Sequence, residues 1–161
     1  NEAYDLLLQD TVPSWLYEVK AGGTSIWERW DALRPDGTVN LGKDPGSGLV
    51  NAVGGGMVSF NHYANGAVGD WLYRRVAGLE AIEPGYKRFR IAPLPGGGLT
   101  NVSCSKKLSS GTIKSEWTVE GGKFRLFAEV PFNTSAVITL PNGEMHEVQS
   151  GKYSIKTDLK I

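Results

Sequence analysis

Residues 111–131, GTIKSEWTVEGGKFRLFAEVP, alternate apolar and polar side chains on both sides of a glycine pair. The apolar positions share one face in each segment: Ile113, Trp117 and Val119, then Phe124, Leu126, Ala128 and Val130. A period of two is that of a half-buried strand, and Gly121-Gly122 suits a two-residue turn. The stretch therefore predicts a β-hairpin with one buried face.

Other short segments rich in strand-forming residues surround this hairpin, and turn residues separate them. They are KRFRIAP (87–93), LTNVSCSKKL (99–108), TSAVITLP (134–141) and KYSIKTDL (152–159). Short strands at this spacing are typical of an antiparallel β-sandwich. We expect this β domain to occupy residues 85–161.

Residues 1–84 show a helical hydrophobic period instead. Ser14 can cap a short helix, and the glycines after Lys20 can end it. SIWERWDAL (25–33) is a second short helical candidate, and MVSFNHYANGAVGDWLYRRVAGL (57–79) predicts a longer helix. Between them, Pro35-Asp36-Gly37 and Asp44-Pro45-Gly46 are turn signals that predict a loop.

Two glycines interrupt the longest predicted helix, at Gly66 and Gly69. Each weakens a helix by about 1 kcal/mol relative to alanine. We interpret them as positions where a neighbouring helix or loop packs closely.

Composition excludes several classes of function. Seventeen Lys and Arg balance 17 Asp and Glu, so no basic field for nucleic acid is indicated. The single cysteine, Cys104, excludes an internal disulfide and a multi-cysteine metal site. No apolar run approaches the roughly 20 residues that cross a bilayer, and no metal or other cofactor is predicted.

The segment SIWERWD (25–31) surrounds Glu28 with Trp27 and Trp30. Sugar rings can stack on indole while carboxylates bind hydroxyl groups, so this pattern favours a carbohydrate subsite with a partly desolvated Glu28. Glycoside hydrolysis uses such a carboxyl group as acid or base. The alternative is a helix-end glutamate paired with Arg29 or Lys20, with the tryptophans in the core.

His62, in SFNHYANG, is a second candidate site residue. A neutral imidazole can donate a hydrogen bond to a sugar hydroxyl or accept one from it. The alternative is a histidine at a helix start that is satisfied by the backbone. A metal site is not expected, because the other histidine, His146, belongs to the β half.

Three stretches together resemble the C-terminal part of the bacterial α-L-rhamnosidases, glycoside hydrolase family 78. They are PSWLYEVKAGGTSIWERWD (13–31), SFNHYANGAVGDWLYRRVAGLE (59–80) and GYKRFRIAPLPGGGLT (85–100). The resemblance implies an α+β chain of two parts: the last helices of an (α/α)6 barrel over residues 1–84, then the antiparallel β-sandwich.

The resemblance also implies an activity and its residues. The reaction would be hydrolysis of terminal α-L-rhamnosyl bonds with inversion, with Glu28 as general base and His62 in contact with rhamnose. Trp27 and Trp30 match the motif by position and are candidates for substrate binding. The implied partners are a rhamnose-containing glycan and the upstream part of the same protein.

Inverting hydrolysis requires a second carboxyl group about 6.5–9.5 Å from the base. In the family that general acid lies upstream of the motifs present here, so we expect the chain to be a fragment that is inactive alone. Two other interpretations remain open for the β domain. It could be a non-catalytic carbohydrate-binding sandwich that grips glycan with Trp117, or it could only cover the barrel, with Trp117 in its core.

Overall fold

The computed structural model describes residues 2–42 and 56–159. The chain divides into two compact units, one ending at Val68 and the other beginning at Gly69. The predicted turn Asp44-Pro45-Gly46 lies outside the described residues.

In its described residues, the first unit contains two short α-helices, α1 (Glu2–Leu8) and α2 (Trp15–Lys20), and a 3₁₀ helix (Ala64–Ala67). The N-cap of α2 is Ser14, whose hydroxyl accepts a hydrogen bond from Tyr17 N at 3.0 Å. This confirms the predicted capped helix. In the described part of this unit no barrel is visible, so the (α/α)6 assignment stays a prediction.

The prediction of a helix over residues 25–33 is wrong, because this segment forms bends and a turn. Its backbone bonds to other segments instead: Trp27 N donates to Glu18 Oε2, and Glu28 N donates to Ser59 O. In a helix over these residues, Glu28 N would donate to the carbonyl four residues earlier and not to the distant Ser59. The following turn is confirmed, since Gly37 has φ 82° and its N donates to Arg34 O at 2.9 Å.

The helix predicted over residues 57–79 is much shorter and irregular. Helical structure begins at Ala64 and continues through α3 (Val68–Trp71) into a π-helical turn (Leu72–Val76). The close-packing interpretation of the glycines is also wrong. A Cβ added at Gly66 would come no closer than 3.8 Å to another side chain, and at Gly69 it would meet no described atom within 4 Å.

The second unit carries eight strands in the part of the chain that the structure describes. They are β1 (Leu79–Ala81), β2 (Arg88–Ile91), β3 (Asn101–Leu108), β4 (Gly111–Glu120), β5 (Lys123–Val130), β6 (Ser135–Thr139), β7 (Met145–Val148) and β8 (Gly151–Asp158). A 3₁₀ turn (Pro84–Tyr86) joins β1 to β2. All six predicted strands are present, whereas the short β1 and β7 were not predicted.

The strands form two four-stranded sheets, ordered β1-β2-β6-β7 and β3-β4-β5-β8. This agrees with a β-sandwich, but one detail differs from the prediction. Strands β2 and β6 pair in parallel, whereas every other pair is antiparallel. The strand β1 also begins before residue 84, so the predicted domain limit falls inside the second unit.

The β4–β5 hairpin matches its prediction in turn and register. Gly121 and Gly122 have φ of 55° and 73°, as a type I′ turn requires, and Trp117 lies opposite Leu126. The apolar face is the core of the unit, whose most deeply buried large side chains are Leu79, Phe89, Ile91, Ile113, Trp117, Phe124, Leu126 and Ile138.

Trp117 belongs to this core, as its position in the hairpin indicated. Its side chain is 1% exposed, and its Nε1 donates to Val76 O at 2.8 Å. A residue this deeply buried cannot grip a glycan, so that role for Trp117 is wrong. Among the described residues, no helix has the length and hydropathy needed to cross a membrane.

Candidate active site

Glu28 and Ser59 form a reciprocal pair that joins two segments of the first unit. Glu28 N donates to Ser59 O at 2.9 Å, and Ser59 N donates to the Glu28 carboxylate Oε2 at 2.7 Å. The side chain of Glu28 is exposed, so the predicted desolvation by the tryptophans is not present in this chain. The second oxygen, Oε1, has no partner among the described residues and can accept from water.

Asn65 supports the same backbone from the 3₁₀ helix. Its side-chain amide Nδ2 donates to Trp27 O and to Glu28 O, both at 3.2 Å. Its own carbonyl accepts from Trp15 Nε1 at 3.1 Å, which ties this arrangement to the start of α2. Sequence reasoning missed Ser59 and Asn65, although both lie within three residues of His62.

The tryptophans of the motif lie mostly inside the unit. Trp27 is 4% exposed and meets Phe60 edge-on, with ring centroids 5.2 Å apart. Trp30 is half-buried and meets Trp15 edge-on at 4.7 Å. Trp27 therefore offers almost no surface to a sugar, contrary to its prediction as a substrate-binding residue, whereas a half-buried Trp30 keeps part of its surface accessible.

His62 lies close to Glu28 because their two segments pair. His62 N donates to Ile26 O at 2.8 Å, two residues from the bond between Glu28 and Ser59. The imidazole is half-buried, stacks parallel to Tyr63 at 5.8 Å, and its Nδ1 accepts weakly from Ala64 N at 3.5 Å. This last bond agrees with a backbone-satisfied histidine and leaves Nε2 as the atom that could meet a ligand.

The cations proposed as alternative partners of Glu28 pair elsewhere. Arg29 binds Asp31, with Nε 3.1 Å from Oδ1, and Lys20 forms an ion pair with Asp10. Asp31 also accepts from Asn40 Nδ2 at 2.8 Å. In the described ranges, the Glu28 carboxylate is thus held by a backbone N–H and not by a cation.

Glu18 is a buried carboxyl group that the sequence analysis did not single out. It is 2% exposed, and its Oε2 accepts from Trp27 N at 3.2 Å. Burial raises the pKa of Glu18 above its usual value, and the N–H of Trp27 opposes that rise. The sequence feature that could have indicated burial of Glu18 is its position three residues after Trp15, which places both residues on the same face of α2.

The described residues contain no group of three or more His, Cys, Asp or Glu side chains that could hold a metal ion. The site instead offers one exposed, hydrogen-bonded carboxylate and one nearby imidazole. A carboxylate so arranged can accept a proton from water, and an imidazole can bind a hydroxyl group.

Comparison with known proteins gives one consistent family. A model of the "bacterial alpha-L-rhamnosidase 6 hairpin glycosidase domain" matches residues 1–76, and a model of the "bacterial alpha-L-rhamnosidase C-terminal domain" matches residues 78–154. Curated α-L-rhamnosidases of Streptomyces avermitilis and Formosa agariphila are 37% and 35% identical over 91% and 98% of this chain. The chain spans only 13% and 16% of their lengths.

Two solved structures are similar across almost the whole chain. The native α-L-rhamnosidase of Aspergillus terreus has a TM-score of 0.82 and 42% identity, over 95% of this chain and 17% of that one. The α-L-rhamnosidase of Streptomyces avermitilis in complex with L-rhamnose has a TM-score of 0.81 and 33% identity, over 97% of this chain and 16% of that one. The chain therefore belongs to the bacterial α-L-rhamnosidase family, with residues 1–76 matching its glycosidase domain and residues 78–154 its C-terminal domain.

Proposed function

We propose that this chain is part of a glycoside hydrolase that cleaves terminal α-L-rhamnosyl bonds with inversion, and that Glu28 is its general base. The observation that carries the proposal is the exposed Glu28 carboxylate, held at Oε2 by Ser59 N, in a segment that matches the glycosidase domain. The complex of a relative with L-rhamnose supports rhamnose as the sugar.

The geometry of Glu28 suits proton abstraction. With Oε2 fixed at 2.7 Å from Ser59 N, the carboxylate has a defined orientation and Oε1 remains for a water molecule. That water attacks the anomeric carbon as Glu28 takes its proton, the glycosidic C–O bond breaks, and a carboxylic acid on the opposite side protonates the leaving oxygen.

His62 is proposed to bind the sugar through Nε2, because Nδ1 already accepts from Ala64 N. Trp30 is the remaining aromatic candidate at the site, since Trp27 is 4% exposed. In this role the two side chains would orient the ring and would not transfer protons.

The general acid is proposed to come from the upstream part of the same protein. The matched region is 13–16% of the length of the curated relatives, so most of each relative lies outside it. We accordingly propose that the 161-residue chain alone does not hydrolyse rhamnosides.

The test is hydrolysis of an aryl α-L-rhamnoside by the intact protein, with Glu28→Gln and the exposed Glu120→Gln as a matched pair. We expect Glu28→Gln to lower kcat by about 100- to 10,000-fold, the range for loss of a general base, and Glu120→Gln to leave it unchanged. NMR should show the β-anomer of rhamnose as the first product. Full activity in Glu28→Gln, or release of the α-anomer first, would contradict the mechanism.

The same assay with the isolated chain tests the proposal about its inactivity. We expect no turnover by the chain alone and Glu28-dependent turnover when the separately produced upstream segment is added and shown to assemble. Turnover by the chain alone would refute this part. A carbohydrate-binding function of the β unit is not proposed, because Trp117, on which it relied, is 1% exposed.

A further inference from the structure

Glu18 is a carboxyl group that the proposed mechanism does not use, although it contacts the segment carrying Glu28. It is 2% exposed, and its Oε2 accepts from Trp27 N at 3.2 Å. Its other oxygen, Oε1, is also buried and has no hydrogen-bond partner among the described residues.

A carboxyl group in this position is costly unless it serves another group. Burying a polar atom without a partner destabilises a fold, and an apolar side chain of similar size would avoid that cost. The group served here is Trp27 N, which lies outside any helix or strand and needs an acceptor because it is buried.

Trp27 is the residue directly before Glu28, and hydrogen bonds hold their backbone at four points. Glu18 binds Trp27 N, Ser59 O binds Glu28 N, and Asn65 Nδ2 binds the two carbonyls. The other three anchors come from residues 59–65, so among these four described bonds only the one from Glu18 comes directly from α2.

The packing beside Glu18 is tight. A Cβ added at Gly23 would lie 2.9 Å from Glu18 O and 3.1 Å from Trp27 Nε1. The end of α2 therefore lies directly against Trp27, so a shift of Trp27 would displace both the end of α2 and Glu28.

We propose that Glu18 is a positioning residue: by accepting the N–H of Trp27, it fixes the peptide that leads into Glu28 and so the place of the Glu28 carboxylate. This inference rests on the proposed function of Glu28. Small displacements of a catalytic group cost rate steeply, with about 100-fold for roughly 1 Å. Loss of one anchor out of four should lower kcat by about tenfold or more and leave KM nearly unchanged.

The experiment uses the intact protein with three substitutions at Glu18, assayed on an aryl α-L-rhamnoside. Glu18→Gln keeps an acceptor oxygen at the same reach, Glu18→Met keeps the length without an acceptor, and Glu18→Asp shortens the side chain and withdraws the acceptor. We expect kcat of the Gln variant within about threefold of wild type, and kcat of the Met and Asp variants lowered by about tenfold or more. KM should stay within about twofold in all three, and circular dichroism checks that each is folded.

Several results would overturn this inference. Wild-type kcat in the Met or Asp variant would show that the Trp27 anchor does not position Glu28, and the Asp variant decides the matter if the Met variant does not fold. A loss as large in Gln as in Met would mean that the ionisable acid matters and not its acceptor, and a loss confined to KM would indicate a role in binding. Glu28→Gln, measured in parallel, distinguishes failure of the Glu18 inference from failure of the proposed function. If Glu28→Gln is inactive while Glu18→Met and Glu18→Asp keep wild-type kcat, only the positioning role of Glu18 is refuted. If Glu28→Gln is fully active, the proposed function of Glu28 is refuted as well.

Discussion

The indole N–H of Trp117 in β4 donates to the carbonyl of Val76 at 2.8 Å, at the point where the π-helical turn ends. Two strand residues earlier, Ser115 Oγ donates to Ala77 O at 2.6 Å. The last carbonyls of a helix have no partner within it and need one from elsewhere. One face of β4 thus supplies both core packing and the hydrogen bonds that end the helix.

Replacing Trp117 should separate these two contributions. Trp117→Phe keeps an aromatic ring but leaves Val76 O unpaired, which we expect to lower the free energy of unfolding by about 1–3 kcal/mol. Trp117→Ala should cost about 3–5 kcal/mol, because it also opens a cavity. Urea unfolding measures both, and Phe132→Ala, at a side chain 80% exposed, is the control that should change stability by less than about 0.5 kcal/mol. Equal stability of Trp117→Phe and wild type would mean that the Val76 bond contributes nothing.

Gly78 and Gly85 form a matched pair of glycines with similar backbone angles, φ 79° and 69°. A Cβ at Gly78 would lie 2.1 Å from Pro93 N and 2.4 Å from Ala92 C, whereas at Gly85 it would meet no described atom within 4 Å. We expect Gly85→Ala to cost about 1–2 kcal/mol, from the left-handed backbone alone. Gly78→Ala should cost clearly more than Gly85→Ala, because backbone atoms must move, and thermal unfolding of the two variants makes the comparison. Similar melting temperatures of Gly78→Ala and Gly85→Ala would show that the backbone near Pro93 can shift to accommodate a Cβ at little cost in stability.

Asn65 should affect catalysis without touching substrate. Asn65→Leu removes the amide that binds Trp27 O and Glu28 O, so we expect kcat to fall by about tenfold or more through displacement of Glu28. The matched control is Asn101→Leu, since that exposed amide bonds, among the residues that the structure describes, only to the neighbouring Thr100 Oγ1. Steady-state kinetics of the intact protein on an aryl α-L-rhamnoside provides the measurement, and an unchanged kcat in Asn65→Leu would count against this role.

Glu18 should make stability depend on pH. Because burial raises its pKa in the folded chain, the folded state retains a proton that the unfolded state releases near pH 4.3, the ordinary value for glutamate. The free energy of unfolding therefore falls as the pH rises from about 4.3 through the raised pKa, and the full loss persists above it. Glu18→Gln has no such proton, so its stability relative to wild type should increase over that interval.

Urea unfolding at a series of pH values tests this, with the exposed Glu120→Gln as control. The difference between Glu18→Gln and wild type should grow with pH, whereas the difference for Glu120→Gln should stay flat. A constant difference for Glu18→Gln across the range would show that its burial has no effect on its ionisation in the fold.

The β unit was largely predictable because its information is local. In the β4–β5 hairpin, alternation and the Gly121-Gly122 pair specify the buried face, the turn and the register together. The parallel pairing of β2 with β6 was not predictable in this way, since no neighbouring residues encode which distant strand lies alongside. The three-residue β1 is also too short for its periodicity to be recognised.

The first unit was harder to predict because distant contacts override local preference. The segment around Glu28 has a helical pattern, but its N–H groups bond to Glu18 and Ser59. The motif residues Glu28 and His62 were predicted as site residues because their types suggest chemistry. Asn65, Ser59 and Glu18 act on the backbone, and residue type alone does not reveal such a role.

The parallel pair β2–β6 has a consequence for synthesis on the ribosome. Ile91 pairs with Ile138, 47 positions later (138 − 91), while β3, β4 and β5 are made in between. Until β6 emerges, one edge of β2 lacks its partner, and an unpaired edge can join the edge of another chain. The hairpins of the second sheet can form early from neighbouring residues, whereas the first sheet must wait. A nascent chain arrested before residue 135 would therefore be prone to aggregate. Once β6 has been synthesised, it can pair with β2 and cover the exposed edge of that strand.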